Sequence, residues 1–276
     1  MDLQTRIQLN NGVQMPVLGL GVFLSKDGEE TYNAVRWALE AGYRHIDTAA
    51  VYGNEESVGR AIRDSGIPRE ELFVTTKLWN TRIRAHEEEQ AFAESLRKLQ
   101  MDYVDLYLIH WPVREEQGYV RAWSKMETFN KQGRARAIGV SNYHVHHLQD
   151  LLAVADVPPA LNQVECHPEL TQVELSDFCR EKGIAFEPWS PLGRGKLLEN
   201  ETLKDIAKAH GKTTAQVILR WGLQRGFVNI PKSVHKERIE QNAQLFDFAL
   251  SQGEMERIFA LNKNERVGSD PETFNF

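Results

Sequence analysis

Cysteine is scarce in this chain and membrane-length apolar runs are lacking. The only two cysteines among 276 residues, Cys166 and Cys179, do not form a CxxC pair. Two such thiols cannot build a disulfide framework, which favours free thiols in a reducing compartment. The first residues lack the apolar core of a signal peptide, and no run reaches the roughly 18 apolar residues that a membrane span needs. We therefore expect a cytoplasmic protein without a membrane partner.

Concentrated positive charge is also lacking. The chain has 33 Lys and Arg residues and 39 Asp and Glu residues, which gives a formal net charge of -6, and the two signs are interspersed along the sequence. Nucleic acids and anionic membranes bind concentrated positive charge, so neither is expected as the main partner.

A glycine-rich dinucleotide turn is missing as well. Gly19-Leu-Gly21 is followed by Leu24 where a third glycine would stand, and Gly193-Arg-Gly195 fails in the same way at Leu198. An open, doubly wound sheet usually carries that turn after its first strand. Its absence counts against this fold class.

What the chain does contain is one repeated unit. After an Asn-Gly hairpin signal within residues 5–15, short apolar segments alternate with helical patterns. Eight such segments predict a (β/α)8 TIM barrel of the α/β class, a single domain over residues 1–276 with an N-terminal β-hairpin and extra C-terminal helices at 235–243 and 251–261. The predicted strands cover residues 17–20, 44–47, 72–77, 104–110, 136–141, 160–164, 184–187 and 227–230.

Polar side chains stand at the ends of three consecutive predicted strands. Asp47, Lys77 and His110 end the second, third and fourth strands, and Tyr52 follows Asp47 on the next loop. Singly, each is more often structural, as a helix cap or half of a salt bridge. Together they should converge, because a barrel carries its active site at the carboxyl ends of its strands.

These four side chains suit the protonation of an oxygen that is gaining negative charge. A phenol is a poor acid at neutral pH, but a neighbouring ammonium favours the phenolate and so eases proton release. Asp47 can orient Lys77, and His110 can donate a hydrogen bond to a carbonyl oxygen. Carbonyl reduction fits this chemistry, and its hydride requires a nicotinamide or flavin.

Four motifs resemble those of one enzyme family. They are Asp47-Thr-Ala-Ala-Val-Tyr-Gly-Asn-Glu55, Met101-Asp-Tyr-Val-Asp-Leu-Tyr-Leu-Ile-His-Trp-Pro112, Ile138-Gly-Val-Ser-Asn142 and Ile230-Pro-Lys-Ser-Val234. The chain resembles an aldo-keto reductase, of the small group that includes 2,5-diketo-gluconate reductases and prostaglandin F synthases. The resemblance implies Tyr52 as general acid, assisted by Asp47, Lys77 and His110, with NADPH as hydride donor.

The resemblance also suggests where NADP(H) would lie. Ser141, Asn142 and Gln163 suit the nicotinamide carboxamide, and Trp189 offers a face for ring stacking. The loop with Ser190, Leu192, Gly193 and Lys196 suits the pyrophosphate. A helix start after the eighth strand attracts anions and favours NADPH through its 2′-phosphate. The residues expected there are Lys232, Ser233, Val234, Arg238 and Asn242.

Aromatic residues around the same mouth predict the substrate site. Phe23, Trp79 and Trp111 flank Tyr52 and His110 and suit apolar or planar carbonyl compounds. The stretch after Leu261 is short, which predicts an open site and a broad range of aldehydes and some ketones.

A metal site is not expected. His144, His146 and His147 open a helix and should point in different directions.

Two alternatives use the same residues differently. One is a non-catalytic, NADPH-binding regulatory subunit, because barrels of this family also serve as accessory subunits. The other is an aldolase in which Lys77 forms a Schiff base. The intact set of four polar residues counts against the first, and the neighbouring cofactor residues count against the second. We expect a monomer that acts on a small-molecule carbonyl.

Overall fold

Nine strands and eleven α-helices lie within the residues that this computed structural model describes, which are 1–113, 115 and 118–274. The strands are β1 (Arg6–Gln8), β2 (Gln14–Pro16), β3 (Leu20–Gly21), β4 (His45–Asp47), β5 (Phe73–Leu78), β6 (Val104–Ile109), β7 (Ala135–Ser141), β8 (Leu161–Glu165) and β9 (Ala185–Trp189). The helices are α1 (Glu29–Glu40), α2 (Glu55–Ser65), α3 (Asn80–Arg84), α4 (Glu88–Leu99), α5 (Gly118–Lys131), α6 (Val145–Leu152), α7 (Val173–Glu181), α8 (Glu201–His210), α9 (Thr214–Gln224), α10 (Lys236–Asn242) and α11 (Gln252–Phe259).

The strands β3 to β9 form one parallel sheet in chain order. The segment after α9 closes it into a barrel, because the Val228 N–H donates to the Phe186 carbonyl of β9 (3.1 Å) and the Gly19 N–H, just before β3, donates to the Asn229 carbonyl (2.8 Å). The (β/α)8 prediction is confirmed, and the extra helices α10 and α11 follow the closing segment.

The eighth strand position of the barrel is occupied by residues 227–230, which the sequence predicts as a strand cut short by Pro231. Residues 227–232 make only isolated parallel bridges, Asn229 with Leu18 and Lys232 with Gly21, instead of a continuous ladder. Pro231 lies between these bridges and has no N–H to donate, which explains the interruption. The segment therefore occupies the place of the predicted eighth strand, but it pairs through isolated bridges and not as a regular strand.

The N-terminal hairpin lies at the amino ends of the barrel strands. β1 pairs with β2 in antiparallel fashion, Ile7 opposite Met15. Met15 and Leu9 are buried in a cluster with Phe73, the first residue of β5, and Leu161, the first residue of β8. The hairpin therefore covers the end of the barrel opposite the carboxyl ends of the strands.

A larger apolar layer joins the sheet to the surrounding helices. Every residue of β5 and of β6 is buried, as expected for strands with side chains on two covered faces. On the side of β6 that faces the helices, the ring of Tyr107 stacks on that of Phe92 of α4, with ring centroids 4.2 Å apart. The Phe92 ring also contacts that of Phe129 of α5, with centroids 4.7 Å apart. The buried residues of this layer come from the chain between Val17 and Ile258. The single-domain expectation for residues 1–276 stays a prediction.

No helix within the described part of the chain is both long enough and apolar enough to cross a membrane.

The helices α2 and α4 approach closely at Gly59, where a methyl group would overlap the backbone carbonyl of Leu99. We expect Gly59→Ala to destabilise the protein by about 1–3 kcal/mol, because this overlap outweighs the better helix propensity of alanine. Gly253→Ala in α11 is the matched control, since a Cβ there meets nothing within 4 Å. It should be neutral or stabilise by up to about 1 kcal/mol. Denaturant unfolding measures both, and equal changes would contradict the packing argument.

Candidate active site

The four polar residues of the predicted reaction centre meet at the carboxyl end of the barrel. Asp47 is the last residue of β4, Lys77 is the last but one of β5, and His110 directly follows β6. Tyr52 ends a single 3₁₀ turn, Ala50–Tyr52, after which Gly53 takes a left-handed conformation at φ 70°. Parallel pairing of β4, β5 and β6 brings these strand ends together.

The Lys77 ammonium is the centre of this group. Its side chain is fully buried, and Nζ donates to Asp47 Oδ1 at 2.7 Å and to the Thr48 carbonyl at 2.9 Å. Its third contact is the Tyr52 hydroxyl at 3.5 Å. An ammonium has three protons to donate, so these contacts account for all of them.

Burial changes the proton affinities of these groups. Burial lowers the pKa of Lys77, but Asp47 and Tyr52 raise it by more, so the pKa lies above the ordinary value and the amine stays charged. Burial, followed by the charge of Lys77, holds the pKa of His110 well below its usual range, so the imidazole is neutral. A neutral imidazole can still donate one N–H.

The pKa of Tyr52 corrects one expectation. Lys77 lowers this pKa, as the sequence argument expected, but burial raises it by more, and the phenol pKa lies above its ordinary value of 10.0. The sequence argument considered the effect of the Lys77 ammonium on this pKa but not the effect of burying the Tyr52 side chain. Tyr52 is therefore protonated at neutral pH in this structure.

One cavity of about 970 Å³ connects these residues with most of the predicted cofactor positions. Those that line it are Ser141, Asn142, Gln163, Trp189, Ser190, Leu192, Lys232, Ser233, Val234, Arg238 and Asn242. Gly193 and Lys196 do not line it, which departs from the prediction. Instead Arg194 and Gly195 face the cavity, because the chain between Gly193 and Lys196 turns through left-handed backbone at both residues.

The polar residues at the inner end of the cavity hold one another in place. Asn142 has a positive φ of 65°, and its amide donates to the His110 carbonyl at 3.0 Å. The Trp189 indole N–H donates to Asn142 Oδ1 at 2.8 Å, which fixes the ring. The Gln163 amide nitrogen donates to Asp47 Oδ2 at 2.8 Å and to Glu187 Oε2 at 2.7 Å. Sequence analysis missed Glu187, whose position in β9 looks like an ordinary strand residue.

The outer end of the cavity suits an anionic cofactor. Arg194, Lys232 and Arg238 line it, and no carboxylate of the described residues lies within ion-pair distance of them. The start of α9 also lies there with Thr213 and Thr214, neither of which sequence analysis assigned to the site. Three cations and a helix N-terminus are the groups that bind phosphates, so this end fits a phosphorylated dinucleotide.

The mouth of the cavity is aromatic. Phe23 lies 5.0 Å from Tyr52 between ring centroids, and Trp79 lies 5.1 Å from His110. Trp111 also lines the mouth, as predicted from sequence. Leu24 and Val51 line it too and are exposed, and sequence analysis missed both. Exposed apolar residues beside a cavity are typical of a binding surface.

The C-terminal segment contributes to this mouth, which sequence analysis did not foresee. Ser269 and Phe274 line the cavity, and the Phe274 ring lies 4.5 Å from that of Trp111. The buried carboxylate of Glu165 anchors this segment by accepting the Val267 N–H at 2.5 Å. No signal in the sequence indicated these contacts, because each joins residues more than 100 positions apart.

The histidines before and within α6 do not point apart as expected. Glu272 Oε1 lies 3.2 Å from His146 Nε2, 3.9 Å from His147 Nε2 and 4.0 Å from His144 Nε2. His147 Nδ1 accepts the backbone N–H of His144, which leaves the proton of the neutral ring on Nε2. The directional argument was wrong, while the expectation of no metal stays a prediction.

Comparison with known proteins agrees with this geometry. The sequence pattern of the Aldo/keto reductase family matches residues 17–263. Glyoxal reductase of Bacillus subtilis (strain 168) is 53% identical over 275 residues, which are 100% of this chain and 99% of that protein. The 9,11-endoperoxide prostaglandin H2 reductase of Trypanosoma cruzi (strain CL Brener) is 49% identical over 271 residues, 97% of this chain and 95% of that protein.

A solved structure is similar over the whole fold. The crystal structure of a Gox0644 variant in complex with NADPH superposes with a TM-score of 0.94 at 40% identity, covering 99% of each chain. The family pattern, the two relatives and the solved structure each match most or all of this chain. This chain therefore belongs to the aldo/keto reductase family.

Proposed function

We propose that this protein reduces aldehydes and some ketones to alcohols, with Tyr52 as the general acid. The observation that carries this proposal is the buried Lys77 ammonium, which contacts both Asp47 and Tyr52 at the inner end of the cavity. NADP(H) is the cofactor, and NADPH supplies the hydride that the carbonyl carbon accepts.

The side chains then manage the proton and the charge. Neutral His110 donates its N–H to the carbonyl oxygen and polarises the carbonyl group. Tyr52 passes its hydroxyl proton to that oxygen as negative charge develops on it. The phenolate that remains is stabilised by Lys77, which Asp47 keeps charged and oriented. The raised pKa of Tyr52 keeps the acid protonated over the neutral range.

The cofactor residues form two groups, one at each end of the cavity. Trp189 provides the face for the nicotinamide, and Ser141, Asn142 and Gln163 surround its carboxamide. At the outer end Lys232, Ser233 and Arg238 hold the 2′-phosphate, which favours NADPH over NADH. The cations that line this end without a carboxylate partner in the described chain support this assignment.

The mouth favours uncharged carbonyl compounds. Phe23, Trp79 and Trp111 form its walls, and the cations that line the cavity belong to the cofactor end. Small aldehydes, including the glyoxal named for the relative from Bacillus subtilis, and planar aromatic aldehydes fit such walls. A broad range of aldehydes follows, because apolar walls discriminate weakly between similar groups. Action as a cytoplasmic monomer stays a prediction.

The aldolase alternative conflicts with the state of Lys77. Schiff-base formation needs a neutral, accessible amine, whereas this amine is fully buried, has a raised pKa and donates to Asp47. A regulatory subunit would not need an intact proton-donating group, and nothing found among the relatives supports that role.

Tyr52→Phe tests the general acid. We expect kcat for aldehyde reduction to fall about 10²–10⁴-fold with NADPH affinity retained, because the phenol alone supplies the proton. NADPH oxidation and fluorescence titration measure the two effects. Tyr107→Phe is the matched control, since this buried hydroxyl has no hydrogen-bond partner among the described residues and lies in the outer layer. Undiminished turnover in Tyr52→Phe would refute the assignment.

Arg238→Ala tests the 2′-phosphate site. The variant should raise the Kd of NADPH roughly 10- to 100-fold, the value of a lost charge-assisted hydrogen bond, and leave the Kd of NADH unchanged. Lys236→Ala is the control, because this cation lies on the same helix, is exposed and does not line the cavity. Equal losses for the two cofactors would contradict the assignment.

A further inference from the structure

A second carboxyl group, that of Glu187, lies beneath the reaction centre. Glu187 is in the middle of β9, pairs in register with Gln163 of β8, and is fully buried. Nothing in the reduction step described above uses it. Burying a carboxyl group inside a barrel is costly unless its contacts compensate, so its neighbours indicate its role.

The contact between Glu187 and Gln163 determines how that amide is oriented. An amide nitrogen has two protons, and in Gln163 they go to Asp47 Oδ2 at 2.8 Å and to Glu187 Oε2 at 2.7 Å. Because both partners are carboxyl oxygens, the nitrogen end of the amide faces them. The carbonyl oxygen is then the polar atom that Gln163 has left for a ligand in the cavity that it lines.

We propose that Glu187 is a positioning residue for the cofactor: with Asp47 it holds the Gln163 amide in one orientation, so that Gln163 accepts the N–H of the nicotinamide carboxamide. This inference rests on the proposed function, which places the nicotinamide beside Gln163. Without Glu187 one amide proton would lose its partner, and the amide could rotate to present its nitrogen.

The protonation state of Glu187 also connects it with the reaction centre. The ionisable groups that face it are His45 and Asp47 from β4, Lys77 from β5 and, further out, Tyr52. Its Oε1 lies 3.9 Å from His45 Nε2 and has no hydrogen-bond partner among the described residues. Burial, and then Asp47, raise the pKa of Glu187 to about 8. Burial, followed by Lys77, lowers that of His45 to about 3, so His45 stays neutral.

A defined pH effect follows. Below about pH 8 Glu187 holds its proton, and above it a second negative charge appears near Asp47. That charge raises the pKa of Tyr52 and makes its proton harder to transfer. Reduction should therefore slow as the pH rises through about 8, well before Tyr52 itself loses its proton.

Two substitutions separate position from charge. Glu187→Gln keeps an acceptor for the Gln163 amide but cannot ionise, whereas Glu187→Met keeps the approximate volume and removes the acceptor. The Kd of NADP⁺, measured by tryptophan fluorescence, should rise roughly five- to tenfold in Glu187→Met and less in Glu187→Gln. In a variant that already carries Gln163→Leu, the further change Glu187→Met should raise the Kd of NADP⁺ little, because Glu187 acts through the Gln163 amide. Unchanged affinity in Glu187→Met would overturn the positioning role.

The pH dependence supplies the second readout. In Glu187→Gln the decline of kcat near pH 8 should disappear, and a decline at an unchanged pH would overturn the link to Tyr52. Glu55→Gln is the matched control: Glu55 is buried with a raised pKa, but it contacts Thr76 outside the barrel interior. It should keep the decline. If the wild type itself turned over no aldehyde, the proposed reductase would fail, while the NADP⁺ titrations would still decide the role of Glu187.

Stability of the protein without cofactor gives an independent check on the titration. The folded state keeps the Glu187 proton to about pH 8, whereas the unfolded chain loses it near the ordinary value of 4.5. Unfolding therefore releases a proton between these values, so rising pH destabilises the wild type through this group. The Tm of Glu187→Gln relative to wild type should increase from pH 5 to 8 and then level off. A constant difference would show that Glu187 is ionised throughout and overturn the pH argument.

Discussion

The buried ion pair between Lys77 and Asp47 is the interaction on which the rest of the site depends. A charge taken out of water is costly unless its partners are complete, and here each ammonium proton has one. Asp47 in turn accepts from Gln163, which reaches Glu187. One chain of contacts therefore crosses the barrel from Lys77 in β5 through Asp47 and Gln163 to Glu187 in β9, so a change at one member removes a partner of the next.

Much of the barrel and of the reaction centre was predictable because both depend on short-range pattern. Apolar segments alternating with helical periodicity indicate parallel strands, and the ends of such strands share one rim, so Asp47, Lys77 and His110 had to meet. The features that sequence reasoning missed depend on distance or depth. Phe274 reaches Trp111 through a contact between residues far apart in the chain, and the pKa of Tyr52 depends on burial.

The cavity combines two chemistries that rarely suit the same ligand. At its outer end cations and a helix start suit phosphates, and at its mouth aromatic side chains suit uncharged groups. At the inner end a hydrogen bond between Trp189 and Asn142 holds both side chains in place. A cofactor bound along the polar end would therefore present its reactive ring to a substrate held by apolar walls.

The hairpin at the amino end of the barrel has a practical consequence. Its residues pack beneath the strands, at the end opposite the cavity, and Asn10 and Asn11 bind backbone carbonyls there. Attachment of the protein to a solid support through this end directs the mouth toward the bulk solution. Attachment through the C-terminal segment, which carries Ser269 and Phe274 into the cavity wall, brings the support against the entrance. The fold thus determines which end of the chain suits an immobilised catalyst.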